Sequence, residues 1–133
     1  MTERVVADGL MTGSRLLGGR RKSDGKIVFP LPRGVESDSY DTIELPAEGT
    51  LWSYTVQRFR PKTPYNGPGD ERNFTPYAVG YVELPGSIIV ESRIETDDPA
   101  RLEIGQRMAF CRQKFRTDAD GSDVFTYAFR PIP

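Results

Sequence analysis

The chain has 133 residues, enough for one domain or for a small domain with an appended arm. Its 18 Lys and Arg residues nearly balance its 19 Asp and Glu residues, and the net charge of −1 gives no general attraction to nucleic acid or to an anionic membrane. There is no His and a single cysteine, Cys111, which excludes His-based catalysis, an intrachain disulfide and a Cys/His zinc site.

The start of the chain and its hydropathy favour a cytoplasmic protein. The segment from Met1 to Val6 lacks the apolar core of a signal peptide. No apolar run approaches the roughly 20 residues that span a bilayer. A single cysteine also suits a reducing compartment. We therefore expect a soluble protein of the cytoplasm.

The first 46 residues are poor in aromatic residues and rich in Gly, Arg and Pro. The segment from Val5 to Met11 is predicted to be a short helix or a docking arm. Asp24-Gly25 lies between two short stretches of strand type, a pattern typical of a β-hairpin. The alternation in Tyr40–Leu45 predicts another short strand. The change of composition after Pro46 predicts a soft domain boundary there.

The second region, residues 47–133, holds the only Trp and most of the Tyr and Phe, and it predicts five strands. A Pro- and Gly-rich loop of residues 61–76 separates the first two strands, and such long loops are usually functional or mobile. Asp98 and Pro99 predict a capped helical turn between the third and fourth strands. The predicted strands are Thr50–Phe59, Tyr77–Leu84, Ser87–Ile94, Met108–Phe115 and Val124–Pro131.

Five antiparallel strands with a helical turn between the third and the fourth suit an OB-type Greek-key barrel. An SH3-like barrel and a small β-sandwich fit the same strand count nearly as well. The residue pattern alone therefore predicts an all-β protein and leaves these three architectures open.

Four stretches of the second region resemble the DUF35 OB-fold family, in the right order and spacing. The resemblance implies that the five strands form an OB-fold barrel. The four stretches are Gly49–Val56, which matches "G-x-L-x-S-Y-T-V", Pro76–Leu84, Leu102–Met108, which resembles "L-x-I-G-x-x-V" with Met108 at its last position, and Tyr127–Pro131, which contains the closing "F-x-P".

In that family a rubredoxin-like zinc ribbon usually precedes the barrel, and parts of its pattern remain in this chain. Gly13-Ser14-Arg15 matches the start of "G-S-R-C-x-x-C-G", but Leu16 and Gly19 stand where the first two cysteines belong. Phe29–Arg33 matches "F-P-P-R", and Pro32–Glu36 has no second cysteine pair. The resemblance therefore implies a degenerate ribbon that holds no metal.

Zinc normally supplies the folding energy of such a ribbon. Without zinc, the N-terminal segment must be held by the barrel, by a partner protein, or by its own apolar residues, namely Leu16, Ile27, Val28, Phe29 and Ile43. We divide the chain into an N-terminal arm and degenerate zinc-ribbon segment, residues 1–46, and an OB-fold domain, residues 47–133.

Members of the DUF35 family resemble accessory subunits of thiolase-like enzymes, whose catalytic residues lie on the partner. The resemblance implies that this chain is not an enzyme alone but a required subunit of a thiolase-like acyl-transfer or aldolase/lyase complex. It would brace a thiolase-like catalytic subunit in a hetero-oligomer and help to shape the channel for acyl-CoA or an acyl carrier. The chain is expected to bind no cofactor directly and to have no nucleic-acid or membrane partner, while acyl-CoA is allowed as the substrate of the complex.

Two sets of side chains are candidates for the partner interface or for contact with CoA. A basic cluster among glycines suits phosphates or an acidic partner surface, although it is more simply explained as a solvated loop. Aromatic residues and arginines of the first strand and the long loop suit an interface, while Trp52 and Tyr54 share a face that also fits the barrel core. The candidates are Arg15, Arg20, Arg21, Lys22, Trp52, Arg58, Arg60, Tyr65 and Phe74.

No residue is assigned a catalytic or metal-binding role. Cys111 has no His to act as its base and is interpreted as a buried or incidental thiol. The acidic residues Asp118, Asp120 and Asp123 fit a hairpin turn better than a calcium loop, because the remaining oxygen ligands are absent.

Two other functions stay open at this stage. OB domains also bind single-stranded nucleic acid or oligosaccharide with aromatic residues and Arg, and salt-dependent binding of oligonucleotides would identify that class. A small hydrolase or acyltransferase that acts alone is the second alternative, and turnover of acyl-CoA thioesters by the isolated chain would support it.

Overall fold

The structure is a computed structural model that describes residues 9–57 and 76–133 and the backbone of residues 3–5. In this part of the chain no helix is long and apolar enough to cross a membrane. Two short 3-10 turns, Gly34–Ser39 and Pro99–Arg101, accompany the strands. The strands are β1 Glu3–Val5, β2 Leu17–Arg21, β3 Ile27–Val28, β4 Tyr40–Glu44, β5 Glu48–Gln57, β6 Tyr77–Leu84, β7 Ile88–Ile94, β8 Arg107–Thr117 and β9 Asp123–Pro131.

Strands β5 to β9 close into a barrel in the order β5-β6-β7-β9-β8, with β8 pairing back onto β5. The neighbouring strands are antiparallel except for β7 and β9, which are parallel. This is the five-stranded Greek-key closure of an OB fold. The prediction of an all-β chain with an OB barrel is therefore confirmed.

The predicted strands of the barrel agree with the described strands to within two residues, except that the predicted end of the first strand, Phe59, lies outside the described residues. Alternation of apolar residues located them, because one face of each strand lines the core. The capped turn is also confirmed: the Asp98 carboxylate accepts a hydrogen bond from the Ala100 N–H at 3.0 Å, and Pro99 is the first residue of the turn. The predicted hairpin turn at residues 118–122 joins β8 to β9, where the Asp118 N–H donates to the Ser122 carbonyl at 2.8 Å.

The N-terminal region contains an antiparallel sheet with the strand order β3-β2-β4. The predicted hairpin joins β2 to β3, and Gly25 has the positive φ of 76° that its turn requires. The predicted strand from Tyr40 is β4. That this sheet is a degenerate ribbon stays a prediction.

Of the two alternatives predicted for Val5–Met11, a short helix or a docking arm, the helix is wrong in the residues that the structure describes, and the docking arm stays a prediction. Val5 ends β1, which pairs in parallel with β9, and Met11 forms an isolated antiparallel bridge with Leu16. The reason is that β7 reaches β9 only at Ala128 and Phe129, so the first residues of β9 have a free edge that β1 occupies.

One cluster of buried apolar side chains joins the N-terminal sheet to the barrel. Leu16 and Leu45, which are 1% and 0% exposed, belong to the same cluster as Leu51, Val82 and Phe129 of the barrel. Burial of this shared apolar surface stabilises the contact between the two parts. The predicted boundary after residue 46 falls between β4 and β5, and whether the two parts are separate domains stays a prediction.

Candidate functional site

An open groove lies between the N-terminal sheet and the barrel. Its volume is about 740 Å³, and its walls come from the sheet, the start of β5 and the turn between β6 and β7. Two of the predicted basic residues, Arg15 and Arg20, line the groove, together with Arg107 from the first position of β8. The fold therefore adds Arg107 to the lining that holds Arg15 and Arg20, although Arg107 is far from both in the sequence. We call this surface the arginine groove.

The arginines of the groove differ in their partners. Arg107 donates a hydrogen bond to Glu48 at 2.5 Å and forms an ion pair with it. Within the described ranges, neither Arg15 nor Arg20 has a carboxylate within 4.0 Å. Glu44 is the other acidic residue of the lining. Because Arg15 and Arg20 are exposed and unpaired there, they are available to attract an anion.

The pleat of β2 divides the predicted basic cluster. Arg20 and Arg21 are consecutive on a strand, so their side chains point to opposite faces. The Arg21 guanidinium donates to both carboxylate oxygens of Asp24, at 2.9 and 2.6 Å. This hydrogen-bonded pair lowers the pKa of the Asp24 carboxyl and raises the pKa of the Arg21 guanidinium. Lys22 is exposed, and neither Arg21 nor Lys22 lines the arginine groove.

A β-bulge in β5 sets the position of Trp52. Leu51 pairs with Val82 of β6, and Ser53 pairs with the preceding residue, Tyr81, so β5 has one extra residue at this point. A bulge of this kind interrupts the alternation of side chains along a strand. Trp52 is 57% exposed, and its ring meets the ring of Tyr81 edge-to-face at a centroid distance of 6.3 Å.

The bulge separates Trp52 from Tyr54. Tyr54 packs against the barrel core, and its hydroxyl donates to the Leu102 carbonyl at 3.1 Å. The prediction that Trp52 and Tyr54 share one face is therefore wrong, because the inserted residue shifts the alternation by one position. Trp52 lies outside the barrel and Tyr54 lies against its core.

The remaining candidates, Arg58, Arg60, Tyr65 and Phe74, lie outside the described residues, and their roles stay predictions. Among residues 9–57 and 76–133, no group of three or more Cys, Asp or Glu side chains is arranged to hold a metal ion.

The only thiol of the chain is half-buried on β8. Cys111 donates a hydrogen bond to the Glu95 carboxylate at 3.0 Å. Burial, with the hydrogen bond and the negative charge of Glu95, raises the pKa of the Cys111 thiol to about 12. At neutral pH Cys111 is therefore in the thiol form, whereas the thiolate is the form that acts as a nucleophile.

We expect Cys111 to react with iodoacetamide at pH 8 roughly 10³-fold more slowly than an unhindered cysteine, because its thiolate fraction is lower by about that factor. Glu95→Gln should accelerate the reaction by removing a negative charge. It should not restore the rate of a free thiol, because burial is the larger cause of the shift. Pseudo-first-order alkylation rates followed by mass spectrometry measure both effects, and a wild-type rate equal to that of free cysteine contradicts the assignment.

Two residues of these surfaces were missed by sequence reasoning. Arg107 reaches the groove because it pairs with Thr50 across the β5–β8 ladder, a long-range contact without a local pattern. The outward position of Tyr81 could have been predicted from the alternation of side chains along β6. Gly80 and Val82 on either side of it are buried, so Tyr81 points outward.

Comparison with known proteins gives a consistent result. The model of the family described as the ChsH2 C-terminal OB-fold domain matches residues 42–112, more than half of the chain. A "DUF35 domain-containing scaffold protein" of Methanothermobacter thermautotrophicus is 28% identical over 127 residues, covering 91% of this chain and 86% of the relative.

Two further similarities extend over most of the chain. The "Benzoylsuccinyl-CoA thiolase subunit BbsA" of Thauera aromatica is 26% identical over 127 residues, covering 88% of this chain and 76% of the relative. A solved structure titled "Ltp2-ChsH2(DUF35) aldolase" has the same fold, with a TM-score of 0.59 at 22% identity, and the match covers 88% of this chain and 84% of that chain. The similarity therefore includes the N-terminal sheet as well as the barrel.

Proposed function

Since this chain belongs to the family of the ChsH2 C-terminal OB-fold domain, we propose that it is the non-catalytic accessory subunit of a thiolase-like acyl-CoA complex. The observation that carries the proposal is the similarity along nearly the whole chain to a scaffold protein and to a thiolase subunit. In this function the chain braces a thiolase-like catalytic subunit and borders the path of acyl-CoA or an acyl carrier.

The chemistry of the chain supports a division of labour with a catalytic partner. Thiolase-type acyl transfer needs a nucleophile and a base, and this sequence contains no His. Its one thiol is held protonated by burial and by Glu95. The proposal therefore places the nucleophile and the base of the reaction on the partner subunit.

The arginine groove is the surface that we propose for the CoA arm. Arg binds phosphate through two parallel hydrogen bonds, and Arg15 and Arg20 have no carboxylate partner in the described chain. A groove between the sheet and the barrel lets both parts of the chain contribute to the same phosphate contacts. The chain alone is not expected to hold CoA tightly, because the partner supplies the rest of the channel.

We expect the double variant Arg15→Glu/Arg20→Glu to raise the KM of the complex for acyl-CoA at least about tenfold, with a smaller change in kcat, because phosphate contacts remote from the reacting thioester contribute mainly to binding. Lys22→Glu/Lys26→Glu is the matched control, since it also reverses two exposed charges, both outside the groove lining. Equal effects of the two changes, or no effect of either, contradict the assignment of the groove.

Affinity purification of the tagged full-length chain from its native cells tests the proposed function itself. The expected result is a co-purifying thiolase-like chain at near-equal stoichiometry, with acyl-CoA turnover that requires both chains. Retention of single-stranded nucleic acid, or acyl-CoA turnover by this chain alone, would overturn the proposal in favour of a binding module or of an independent enzyme.

A further inference from the structure

Exposed apolar side chains gather on the outer surface of the barrel beside the β5 bulge. Trp52, Tyr81 and Ile104 are 57%, 43% and 69% exposed, although large apolar side chains at the surface cost free energy in water. Trp52 and Tyr81 come from neighbouring strands, and Ile104 comes from the turn before β8. We call these three residues the Trp52 patch.

The Trp52 patch is held in place by the fold. The bulge sets the direction in which the Trp52 side chain leaves β5. The Trp52 ring packs edge-to-face on the Tyr81 ring. The Tyr81 hydroxyl donates to the Glu91 carboxylate at 3.2 Å. Two aromatic rings that are already ordered lose little conformational freedom when a partner covers them, which favours binding.

The turn that carries Ile104 is fixed to the same stretch of β5. The Gly105 N–H donates to the Leu51 carbonyl at 2.8 Å, and the Leu51 N–H donates to the Gln106 carbonyl at 2.8 Å. Gly105 has a φ of 93°, a conformation that other residues rarely adopt. Ile104 is therefore presented beside the bulge by backbone contacts.

Acidic residues border the Trp52 patch along β6, β7 and the turn of Ile104, while on the β8 side Arg107 is paired with Glu48. Glu91 pairs across the sheet with Tyr81, Glu83 is the next outward residue of β6, and Glu103 begins the turn of Ile104; all three are exposed. The nearest outward cation along β7, Arg93, stacks on the ring of Tyr77 at 3.9 Å. A partner surface that complements the Trp52 patch is apolar at its centre and carries Lys and Arg at its rim. Nucleic acid fits this border poorly, because its phosphates carry the same sign of charge.

The patch also continues the wall of the arginine groove. Glu48 of β5 and Arg107 of β8 line the groove. Three residues further along β5, Leu51 is hydrogen-bonded to the turn that carries Ile104 and leads into β8. A protein seated on Trp52 would lie next to the groove. It would close the groove over the CoA arm from the barrel side.

We infer that the Trp52 patch is the docking surface for the catalytic subunit, which inserts Trp52 into an apolar pocket with a basic rim. This inference rests on the proposed function, because that function supplies the occupant. Trp and Tyr at the centre of an interface carry a large share of its binding free energy, and polar residues around them exclude water.

The test measures the affinity of the full-length chain for the thiolase-like subunit by sedimentation or by surface-immobilised binding. Trp52→Ala is expected to weaken binding about 30-fold or more, the range of an interface hot spot. The urea midpoint of the Trp52→Ala variant should differ little from that of the wild type, since the Trp52 side chain is more than half exposed. Val35→Ala is the matched control, because Val35 is 89% exposed and lies outside the patch; it should leave binding unchanged.

A charge variant keeps the inference testable if Trp52→Ala lowers the stability. Glu103→Lys changes only an exposed turn residue, and it should weaken binding several-fold at low salt and less at high salt. If the wild type binds the thiolase-like subunit and both variants bind equally well, the docking surface is wrong while the proposed function stands. If the wild type binds no such subunit, the proposed function fails and this inference fails with it.

Discussion

Replacement of Gly49 by alanine is expected to destabilise the protein by about 3 kcal/mol or more. Gly49 lies where β5 pairs with β8 to close the barrel, opposite Met108. A Cβ atom at this position would overlap the Glu83 carbonyl oxygen, and it would lie 2.9 Å from Leu84 Cδ2 and 3.0 Å from Val82 Cγ1. Overpacking of a filled interior costs about 1 to 3 kcal/mol, and more where backbone must move.

The backbone around Gly49 has little room to relax. β6, which carries the Glu83 carbonyl, is paired with β5 on one side and with β7 on the other, so its displacement disturbs both ladders. Equilibrium unfolding in urea measures the change. Gly13→Ala is the control, since it adds the same methyl group where no atom lies within 4 Å, and its free energy of unfolding should change by less than about 0.5 kcal/mol. Equal midpoints for the two variants would contradict the packing argument.

The strands of the barrel could be predicted from the sequence because the residue patterns that indicate them lie within a few consecutive residues. β6 alternates buried Ala78, Gly80 and Val82 with outward residues, as one-sided burial requires. The capped turn at Asp98-Pro99 depends on side-chain chemistry within three residues. The closure itself needed the family resemblance, because strand count alone also fitted other barrels and sandwiches.

The features that sequence reasoning missed depend on contacts between distant strands. The bulge at Trp52 is one extra residue relative to β6, so only the pairing of the two strands reveals it. The free edge of β9 that binds β1 exists because β7 diverges from it. Arg107 joins Arg15 and Arg20 only through closure of the barrel. In each case the register of a strand pair decides where the side chain lies, and no local pattern encodes that register.

Apolar packing surrounds Leu16 and Gly19, the two positions that the sequence resemblance aligned with the first cysteine pair of a zinc ribbon. Leu16 is 1% exposed and belongs to the core cluster shared with the barrel. At Gly19 a Cβ atom would lie 3.1 Å from Leu31 Cδ1 and 3.2 Å from Tyr40 Cδ1, so apolar side chains fill the space around it. If the sheet is the predicted metal-free ribbon, its contact with the barrel takes the place of the stabilisation that zinc supplies in a metal-bound ribbon.

Leu16→Ala is therefore expected to cost about 3 kcal/mol, the usual loss for a fully buried leucine, and to lower the stability of the sheet and the barrel together because both share this core. Trp52 fluorescence during urea unfolding reports the barrel, and hydrogen exchange of residues 17–44 reports the sheet. Val35→Ala, a truncation of an exposed side chain in the same N-terminal segment, should leave both unchanged. If residues 17–44 open in a separate, weaker transition while the barrel keeps its midpoint, the two parts are independent domains and the shared core does not hold the sheet in place.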